Sequence, residues 1–177
     1  MTPTTDHGKN VNRTPRNVPW LELRTAAGGA DPGPGTWHAQ LAGELCRSGR
    51  EFFDEAALAL DFPSYFGRNW DAFDECFGDL LDVTHGGMGH AFGGRAGRPE
   101  RALHVTIHRA EHLLDEDRPD ALRVLLEILR EDPSADHRPD GPHTYADFRA
   151  TFVCAPDALS SFRDRLTAAG LRPEDLS

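Results

Sequence analysis

Acidic side chains are concentrated in the segment from Asp61 to Asp82, which holds six carboxylates and a single basic residue, Arg68. The net charge of this segment is therefore −5, half of the formal net charge of −10 on the whole chain. Carboxylates in such number can act as a general acid and base, or they can pair with guanidinium groups of a basic partner. Which chemistry applies depends on the element that carries them.

A helix that begins at Trp70 would position most of these carboxylates. Pro63 and Gly67 interrupt the chain before it, and Asn69 is a residue type that caps helix N-termini well. Asp71 would lie in the first turn, where the positive end of the helix dipole stabilises a negative charge. Later carboxylates lack that compensation, and each like-charged i,i+4 pair costs roughly 0.2–0.5 kcal/mol.

The predicted helix has an acidic side and an apolar side. The acidic side holds Asp71 and, within about 80° of it on a wheel of 100° per residue, Glu75, Asp79 and Asp82. The apolar side carries Ala72, Phe73, Cys76, Phe77, Leu80 and Leu81. The pattern therefore predicts that one side packs on a core while the other presents a ridge of carboxylates.

Three interpretations of this ridge are open. It could be a solvated face of an acidic protein without a specific role. Asp71 and Glu75, at i,i+4, could be an acid/base pair as in glycoside hydrolysis, but they project from a convex helix and the sequence supplies no cleft around them. A binding surface is favoured because Tyr65, Phe66 and Gly67 place an aromatic shoulder beside the ridge. We therefore expect a protein that is not an enzyme, with no cofactor and no metal site.

A compact motif runs through the same segment: Pro63-x-Tyr65-Phe66-Gly67-x-Asn69-x-Asp71-Ala72-x-x-x-Cys76. It resembles the signature of the barstar family, the intracellular inhibitors of barnase-type ribonucleases. The flanking elements fit a barstar-like order over roughly residues 36 to 155. The resemblance implies an α/β fold in which helices pack on a small three-stranded parallel sheet, here extended at both ends.

The resemblance also implies which residues bind a partner. Tyr65 would be the aromatic shoulder, while Gly67 and Asn69 would contact the partner through a closely approaching backbone and the helix entry. Asp71 matches the first acidic contact of the family, and Glu127 aligns with a further acidic contact. The expected binding set is Tyr65, Gly67, Asn69, Asp71, Asp74, Glu75, Asp79 and Glu127.

Two positions of this set depart from the namesake inhibitor. Glu75 stands where that protein has its dominant Asp, just before the Cys, and it lengthens the reach of the carboxylate by one methylene. Asp74 stands where the namesake has a Trp, so a charge replaces a large apolar contact. Trp70, where the namesake has Leu, could compensate in packing. These changes suggest that the cognate nuclease is an enzyme other than barnase.

The implied function is inhibition by charge mimicry. A nuclease of this type binds RNA phosphates in a basic cleft, and a rigid helix with carboxylates at phosphate-like positions would fill that cleft through charge-assisted pairs. The chain is then an intracellular inhibitor or immunity protein that blocks the active site of a basic microbial ribonuclease. The alternative is a barstar-like interaction module that binds a different basic partner and leaves ribonucleases active.

The composition agrees with a basic protein partner. Acidic residues outnumber basic ones by 29 to 19, which disfavours direct binding of nucleic acid because that affinity comes largely from Lys and Arg on phosphates. No apolar run approaches the roughly 18 residues of a membrane span. Three widely spaced cysteines, Cys46, Cys76 and Cys154, indicate buried thiols in a reducing cytoplasm. We expect a monomer when the protein is free.

The chain is predicted to form one barstar-like domain over residues 19–177, after a disordered tail of residues 1–18. The core would span about residues 36–155, and an additional C-terminal helix about residues 156–169. Trp20 to Arg24 could be a short strand ahead of that core. These boundaries follow from the resemblance and from the composition of the connecting segments.

Strands and helices alternate along the predicted core. The strands are Thr36 to Leu41, Ala102 to His108 and Tyr145 to Cys154. A capping box at Ser48-Gly49-Arg50-Glu51 opens the first helix, Pro119 opens another that reaches about Glu131, and Gly170-Leu171 resembles a Schellman stop after the last. Such alternation indicates a parallel sheet with helices packed on it.

Two further segments carry residues that could do chemistry. The predicted strand Ala102 to His108 places His104, Thr106 and His108 on one face, but the imidazoles of His104 and His108 would be about 13 Å apart, too far to share a metal. We expect a half-buried polar face covered by a helix. Residues 84–100 hold six glycines without the Gly-Lys-Ser/Thr ending of a phosphate loop, and Arg95 adds positive charge there. We expect a flexible surface loop.

Overall fold

The structure, a computed structural model, describes residues 16, 19–25, 33–93, 96–133 and 143–177. These residues form four strands: β1 Leu21–Arg24, β2 Thr36–Ala42, β3 Ala102–His108 and β4 Asp147–Val153. They also form four α-helices: α1 Gly49–Ala59, α2 Trp70–Leu81, α3 Ala121–Arg130 and α4 Leu159–Ala168. The predicted tail lies outside the described residues except for Arg16. None of the described helices is both long and apolar enough to cross a membrane.

The four described strands run parallel in one sheet, in the order β1-β4-β3-β2. The prediction of three strands is therefore wrong. The additional strand, β1, pairs with β4 from Leu21↔Ala150 to Arg24↔Val153 and covers what would otherwise be an open sheet edge. The sequence suggested a short strand from Trp20 to Arg24 but gave it no place in the sheet, and pairing with β4 makes it the fourth strand.

Local signals in the sequence set several element boundaries correctly. The strand β3 has the predicted bounds, Ala102–His108. The helix α1 begins after the predicted capping box, in which Ser48 N–H donates to the Glu51 carboxylate at 2.9 Å. The helix α4 ends in the predicted Schellman motif, since Gly170 has a φ of +97° and Leu171 N–H donates to Leu166 O at 2.9 Å.

The helices lie on one face of the sheet. Buried side chains of the three longer strands form this face: Ala39, Leu41, Leu103, Val105, Ile107, Phe148, Ala150 and Phe152. Phe52, Phe73 and Leu125 bring α1, α2 and α3 onto it, and Phe162 of α4 lies 6.0 Å from Phe152. The expectation that a helix also covers the polar face with His104 is wrong for the described helices, because the sheet and helices bury their apolar sides together.

A buried carboxylate, Asp175, joins both ends of the described chain to the core. It is 2% exposed and accepts hydrogen bonds from the Trp20 indole N–H at 3.1 Å and from the Arg130 guanidinium at 2.9 and 3.1 Å. Trp20 N–H donates to Asp175 O at 3.1 Å, and Ser177 N–H donates to Leu21 O at 2.9 Å. The strand β1 and the C-terminal residues are therefore held together and fastened to α3.

The Asp175 carboxylate is stabilised in its charged form. Burial by itself would raise the pKa of Asp175, but hydrogen bonds from Arg130, from Arg172 N–H and from Trp20 outweigh it and hold the pKa below the ordinary value. A carboxyl group whose pKa falls on folding contributes stability above its unfolded-state pKa. That contribution is lost as the pH falls through the folded-state value.

Replacing Asp175 with Asn should lower the free energy of unfolding by about 3–5 kcal/mol at neutral pH, because one partner of a buried ion pair is removed. The difference between wild type and Asp175→Asn should shrink as the pH falls below about 4. Urea unfolding followed by circular dichroism between pH 7 and pH 3 measures both effects. Asp164→Asn, at an exposed position of α4, is the control and should change stability by less than about 0.5 kcal/mol. Equal losses in the two variants would contradict this assignment.

Candidate partner-binding surface

A cluster of aromatic rings holds α2 against α1. Phe52 and Phe53 of α1 lie 5.6 and 4.8 Å from the Trp70 ring of α2. Phe73 lies 5.1 Å from Phe52 and stacks on Phe77 at 5.8 Å. Since these rings fill the apolar side of α2, the rotation of the helix about its axis is fixed and its acidic side faces away from the core.

The loop before α2 starts the helix at Trp70. The Asn69 side-chain oxygen accepts a hydrogen bond from Ala72 N–H at 2.9 Å, which confirms the predicted N-cap. Arg68 has left-handed backbone geometry, with a φ of +50°, and its guanidinium donates to Asp54 of α1 at 2.6 Å. The basic residue of the acidic segment is therefore turned toward α1.

Gly67 leaves room for this cap. A Cβ at position 67 would lie 3.2 Å from the Asn69 amide nitrogen and 3.3 Å from the Ala72 Cβ, which is closer than most such contacts. The Asn69 amide also donates to Gly67 O at 3.3 Å. A side chain at this position would press on the residues that begin α2, so Gly67 has a structural reason besides its predicted partner contact.

Asp71 and Glu75 form the exposed part of the ridge. Both side chains are exposed, and neither makes an ion pair or hydrogen bond with any described residue. The helix α2 contains no basic residue that could neutralise them. Asp74 and Asp79 are half-buried on the flanks of the ridge, and Asp79 lies toward the end of α2, where the helix dipole opposes a carboxylate. The accessible anionic surface is therefore centred on Asp71 and Glu75.

Asp82 does not belong to the ridge, and the wheel prediction is wrong there. It is the C-cap of α2, it is 8% exposed, and it accepts hydrogen bonds from Thr84 N–H at 2.9 Å and from His143 Nδ1 at 2.6 Å. Burial favours a raised pKa for Asp82, but these hydrogen bonds hold the pKa below its ordinary value. The helix ends at Leu81, and the chain then turns inward. No local signal in the sequence connects Asp82 with His143.

Tyr65 is an exposed aromatic residue at the entry to α2. Its side chain is 64% exposed, and its hydroxyl donates to Phe92 O at 3.5 Å. The neighbouring Phe66 is buried, with its ring 6.0 Å from Phe53 and 5.0 Å from Phe62. The buried Phe66 thus anchors the loop, while Tyr65 remains accessible beside the ridge.

The glycine-rich segment is packed where it is described. Met88 is buried and exchanges two backbone hydrogen bonds of 2.9 Å with Arg98. A Cβ on Gly87 would lie 1.9 Å from Arg98 O, and a Cβ on Gly97 would lie 2.1 Å from Gly87 O, so neither position accepts a side chain. The expectation of a flexible surface loop does not hold for this part of the segment, because its glycines allow two backbones to approach closely.

The same segment adjoins α2 and the entry loop. Gly89 N–H donates to Leu80 O at 3.0 Å, and the buried Phe92 ring lies 6.0 Å from Phe62. Arg95, which was expected to add positive charge here, lies outside the described residues. The segment therefore supports the C-terminal half of α2 and the carbonyl that Tyr65 contacts.

Glu127 lies on α3 and is exposed. Its carboxylate accepts a hydrogen bond from Arg123, one turn earlier on the same helix, at 3.2 Å. An exposed pair of this kind contributes only about 0.3–0.5 kcal/mol, so it would yield readily to a stronger partner. Within the described residues, no hydrogen bond or ion pair connects Glu127 with α2.

The three cysteines are buried free thiols, as predicted. Burial raises the pKa of Cys46 to about 12 and the pKa values of Cys76 and Cys154 to about 11. A thiol with such a pKa is not ionised at neutral pH, so Cys76 acts as a small apolar residue beneath the ridge.

Chemically, the surface suits recognition of cations. Two exposed carboxylates one turn apart on a fixed convex helix can accept charge-assisted hydrogen bonds from guanidinium and ammonium groups. Among the described residues, no group of three or more His, Cys, Asp or Glu side chains is arranged to hold a metal ion.

Comparison with known protein families shows which family this chain belongs to. The profile described as Barstar (barnase inhibitor) matches residues 37–145, which is more than half of the chain. The protein belongs to the barstar family. A search of curated proteins found no match. The barstar match contains α1, α2, α3 and β3, whereas β1, β4 and α4 lie outside it.

The resemblance seen in the motif is thus confirmed at the level of the family. The description of the family names it as an inhibitor of barnase. The barstar match includes every residue of the predicted binding set, from Tyr65 to Glu127. The acidic helix and its entry loop therefore lie within the part of the chain that is similar to the family.

Asn69→Ala should destabilise the protein by about 1 kcal/mol, because Ala72 N–H loses its side-chain acceptor. Asn69→Asp, which keeps an acceptor at the same position, should retain most of the stability. Thermal and urea unfolding measure both changes, with Ser160→Ala on the exposed side of α4 as the control. An Asn69→Ala variant as stable as wild type would show that the cap contributes nothing.

Proposed function

We propose that this barstar-family protein inhibits a basic barnase-type ribonuclease by placing the acidic side of α2 in the RNA-binding cleft of the enzyme. No bond is made or broken, so inhibition is steric and electrostatic. The contact residues in this proposal are Tyr65, Gly67, Asn69, Asp71, Asp74, Glu75, Asp79 and Glu127. The observation that carries it is the exposure of Asp71 and Glu75, without ion pairs to described residues, on a helix held by the aromatic cluster.

Physical complementarity supports this proposal. A ribonuclease must bind phosphates, and it does so with basic side chains that are equally able to bind carboxylates. Because packing already holds α2, docking orders few additional groups and loses little conformational entropy. The formal net charge of −10 is opposite to that of a basic enzyme and accelerates association.

We also propose a location, an oligomeric state and a domain extent for the protein. The free protein is a cytoplasmic monomer, residues 19–177 form one domain, and the partner is a microbial ribonuclease, with no direct contact to nucleic acid. Asp74 and Glu75, where the namesake inhibitor has Trp and Asp, favour a cognate enzyme other than barnase. The same departures make a basic partner that is not a ribonuclease the second candidate.

Asp71→Ala and Glu75→Ala should each weaken inhibition by about 2 kcal/mol or more, roughly 30-fold, because a basic group of the enzyme loses its partner in a desolvated interface. The measurement is RNA cleavage by a panel of barnase-type ribonucleases at increasing inhibitor concentration. Asp164→Ala on α4 is the matched control and should inhibit like wild type. Unchanged inhibition by both ridge variants would place the contact elsewhere. A panel that stays fully active with wild type would favour the second candidate.

Association with the cognate nuclease should slow at least about tenfold between 0.1 M and 1 M salt, because the Debye length falls from about 10 Å to about 3 Å. Stopped-flow fluorescence measures the association rate. Asp71→Asn removes one charge without changing size and should make the dependence on salt shallower. An association rate that does not respond to salt would contradict charge steering.

A further inference from the structure

Trp70, the first residue of α2, connects the aromatic cluster with the acidic ridge. Its side chain is half-buried, with the ring centroids of Phe52 and Phe53 of α1 at 5.6 and 4.8 Å from its own. Asp71, the first carboxylate of the ridge, follows it directly in the helix. The indole is therefore held in place by α1 while part of it remains at the surface beside the ridge.

The indole N–H of Trp70 is an unengaged hydrogen-bond donor. It donates to no described residue, and its nitrogen is not among the fully buried side-chain atoms. A buried indole N–H usually finds an acceptor, as that of Trp20 does in the Asp175 carboxylate at 3.1 Å. Trp70 instead keeps its donor available to a group outside the protein.

Trp70 carries the donor that the rest of α2 lacks. An ionised carboxylate can only accept hydrogen bonds, and Cys76, whose thiol could donate, is buried. The other polar side chains of the helix are all carboxylates, those of Asp71, Asp74, Glu75 and Asp79. The indole N–H is therefore the one accessible side-chain donor on α2.

Helical geometry places this donor next to the carboxylates. Trp70 and Asp74 are four positions apart, so their Cβ atoms are neighbours on the helix surface, about 5–6 Å from each other. On a wheel of 100° per residue, Asp74 lies between Trp70 and Asp71. A partner that covers Asp71 and Asp74 therefore also meets the accessible part of the indole.

The active site of a ribonuclease offers a group that needs such a donor. Acid–base cleavage of RNA requires a proton acceptor among the basic groups that bind phosphates. A surface made of carboxylates alone would bury that acceptor without a hydrogen bond, which is unfavourable, and would repel it if it were charged. An indole N–H beside the ridge supplies the hydrogen bond without adding a positive charge.

We propose that Trp70 is a further specificity-determining contact of the ridge, which donates its indole N–H to an oxygen acceptor in the cleft of the nuclease. This inference rests on the proposed inhibition of a nuclease and adds a requirement to the partner. Beside the cations that pair with Asp71 and Glu75, the cleft presents a carboxylate or carbonyl oxygen toward the first turn of α2. Tryptophan is also a residue type that is enriched among the strongest contacts of protein interfaces.

Trp70→Phe removes the N–H and keeps a ring in the aromatic cluster. It should weaken inhibition of the panel ribonuclease that wild type inhibits most strongly by about tenfold. Because no charge changes, the loss should lie in the dissociation rate, with the association rate unchanged. Surface plasmon resonance separates the two rates, and far-UV circular dichroism confirms that the variant is folded.

Trp37→Phe is the matched control. Trp37 is also half-buried, and its indole N–H donates to no described residue. It lies on β2, however, where the Arg98 guanidinium covers its ring at 4.1 Å from the centroid. Trp37→Phe should therefore inhibit the same ribonuclease like wild type.

A second measurement uses the wild-type protein, so misfolding of a variant cannot imitate its result. NMR follows the exchange of each indole N–H with deuterated solvent. In the free protein, Trp20 should exchange slowly because of its buried hydrogen bond, and Trp70 should exchange rapidly. In the complex with the same ribonuclease, the Trp70 signal should become protected and shift, while the Trp37 signal should stay as it is.

Equal dissociation rates for wild type and Trp70→Phe, or a Trp70 indole that exchanges as fast in the complex as in the free protein, would overturn this inference. Nuclease inhibition that still depends on Asp71 and Glu75 would then leave the proposed function standing without it. A panel that wild type leaves fully active would overturn both. The two proposals are thus distinguished, because the ridge variants test one and the indole N–H tests the other.

Discussion

Burial of aromatic rings between α1 and α2 is the interaction on which the acidic surface depends. Each buried ring of this kind stabilises the packed arrangement by about 1.5–3 kcal/mol, whereas repulsion between carboxylates one turn apart costs only a few tenths. Packing therefore determines how α2 is rotated, and the charges take the side that remains. Turning the helix to hide Asp71 and Glu75 would expose Phe73 and Phe77 to water. The ridge is held outward by hydrophobic contacts rather than by any attraction of its own.

The elements outside the barstar match close the edge of the sheet. The strand β4 pairs with β3 on one side, and β1 pairs with it on the other. An uncovered edge of a parallel sheet offers unpaired backbone groups to other chains, so β1 protects it. Asp175 connects this strand, the C-terminal residues and α3 through one buried carboxylate. The additions at the two ends of the chain thus stabilise each other.

The sheet separates two surfaces of different electrostatic character. On the helical side, carboxylates without basic neighbours on α2 project from a convex helix and suit a basic protein. On the open side, side chains of both signs, among them Arg149 and Asp147, line a concave polar face together with His104. The separation follows from the alternation of side chains along a strand, which sends successive residues to opposite faces.

The sequence by itself determined the features that depend on neighbouring residues. Caps at Ser48 and Asn69, the stop at Gly170 and the bounds of β3 follow from contacts within a few positions, and the barstar motif is equally local. Only the tertiary structure decided the rest. The short strand suggested at Trp20 to Arg24 takes its place in the sheet because β4 pairs with it, and Asp82 meets His143 from 61 positions away. The glycines near Met88 and the open face of the sheet also depend on which backbones and helices meet in space. Contacts between residues distant in the chain leave no periodic signal in sequence, so they appear only when the chain is folded.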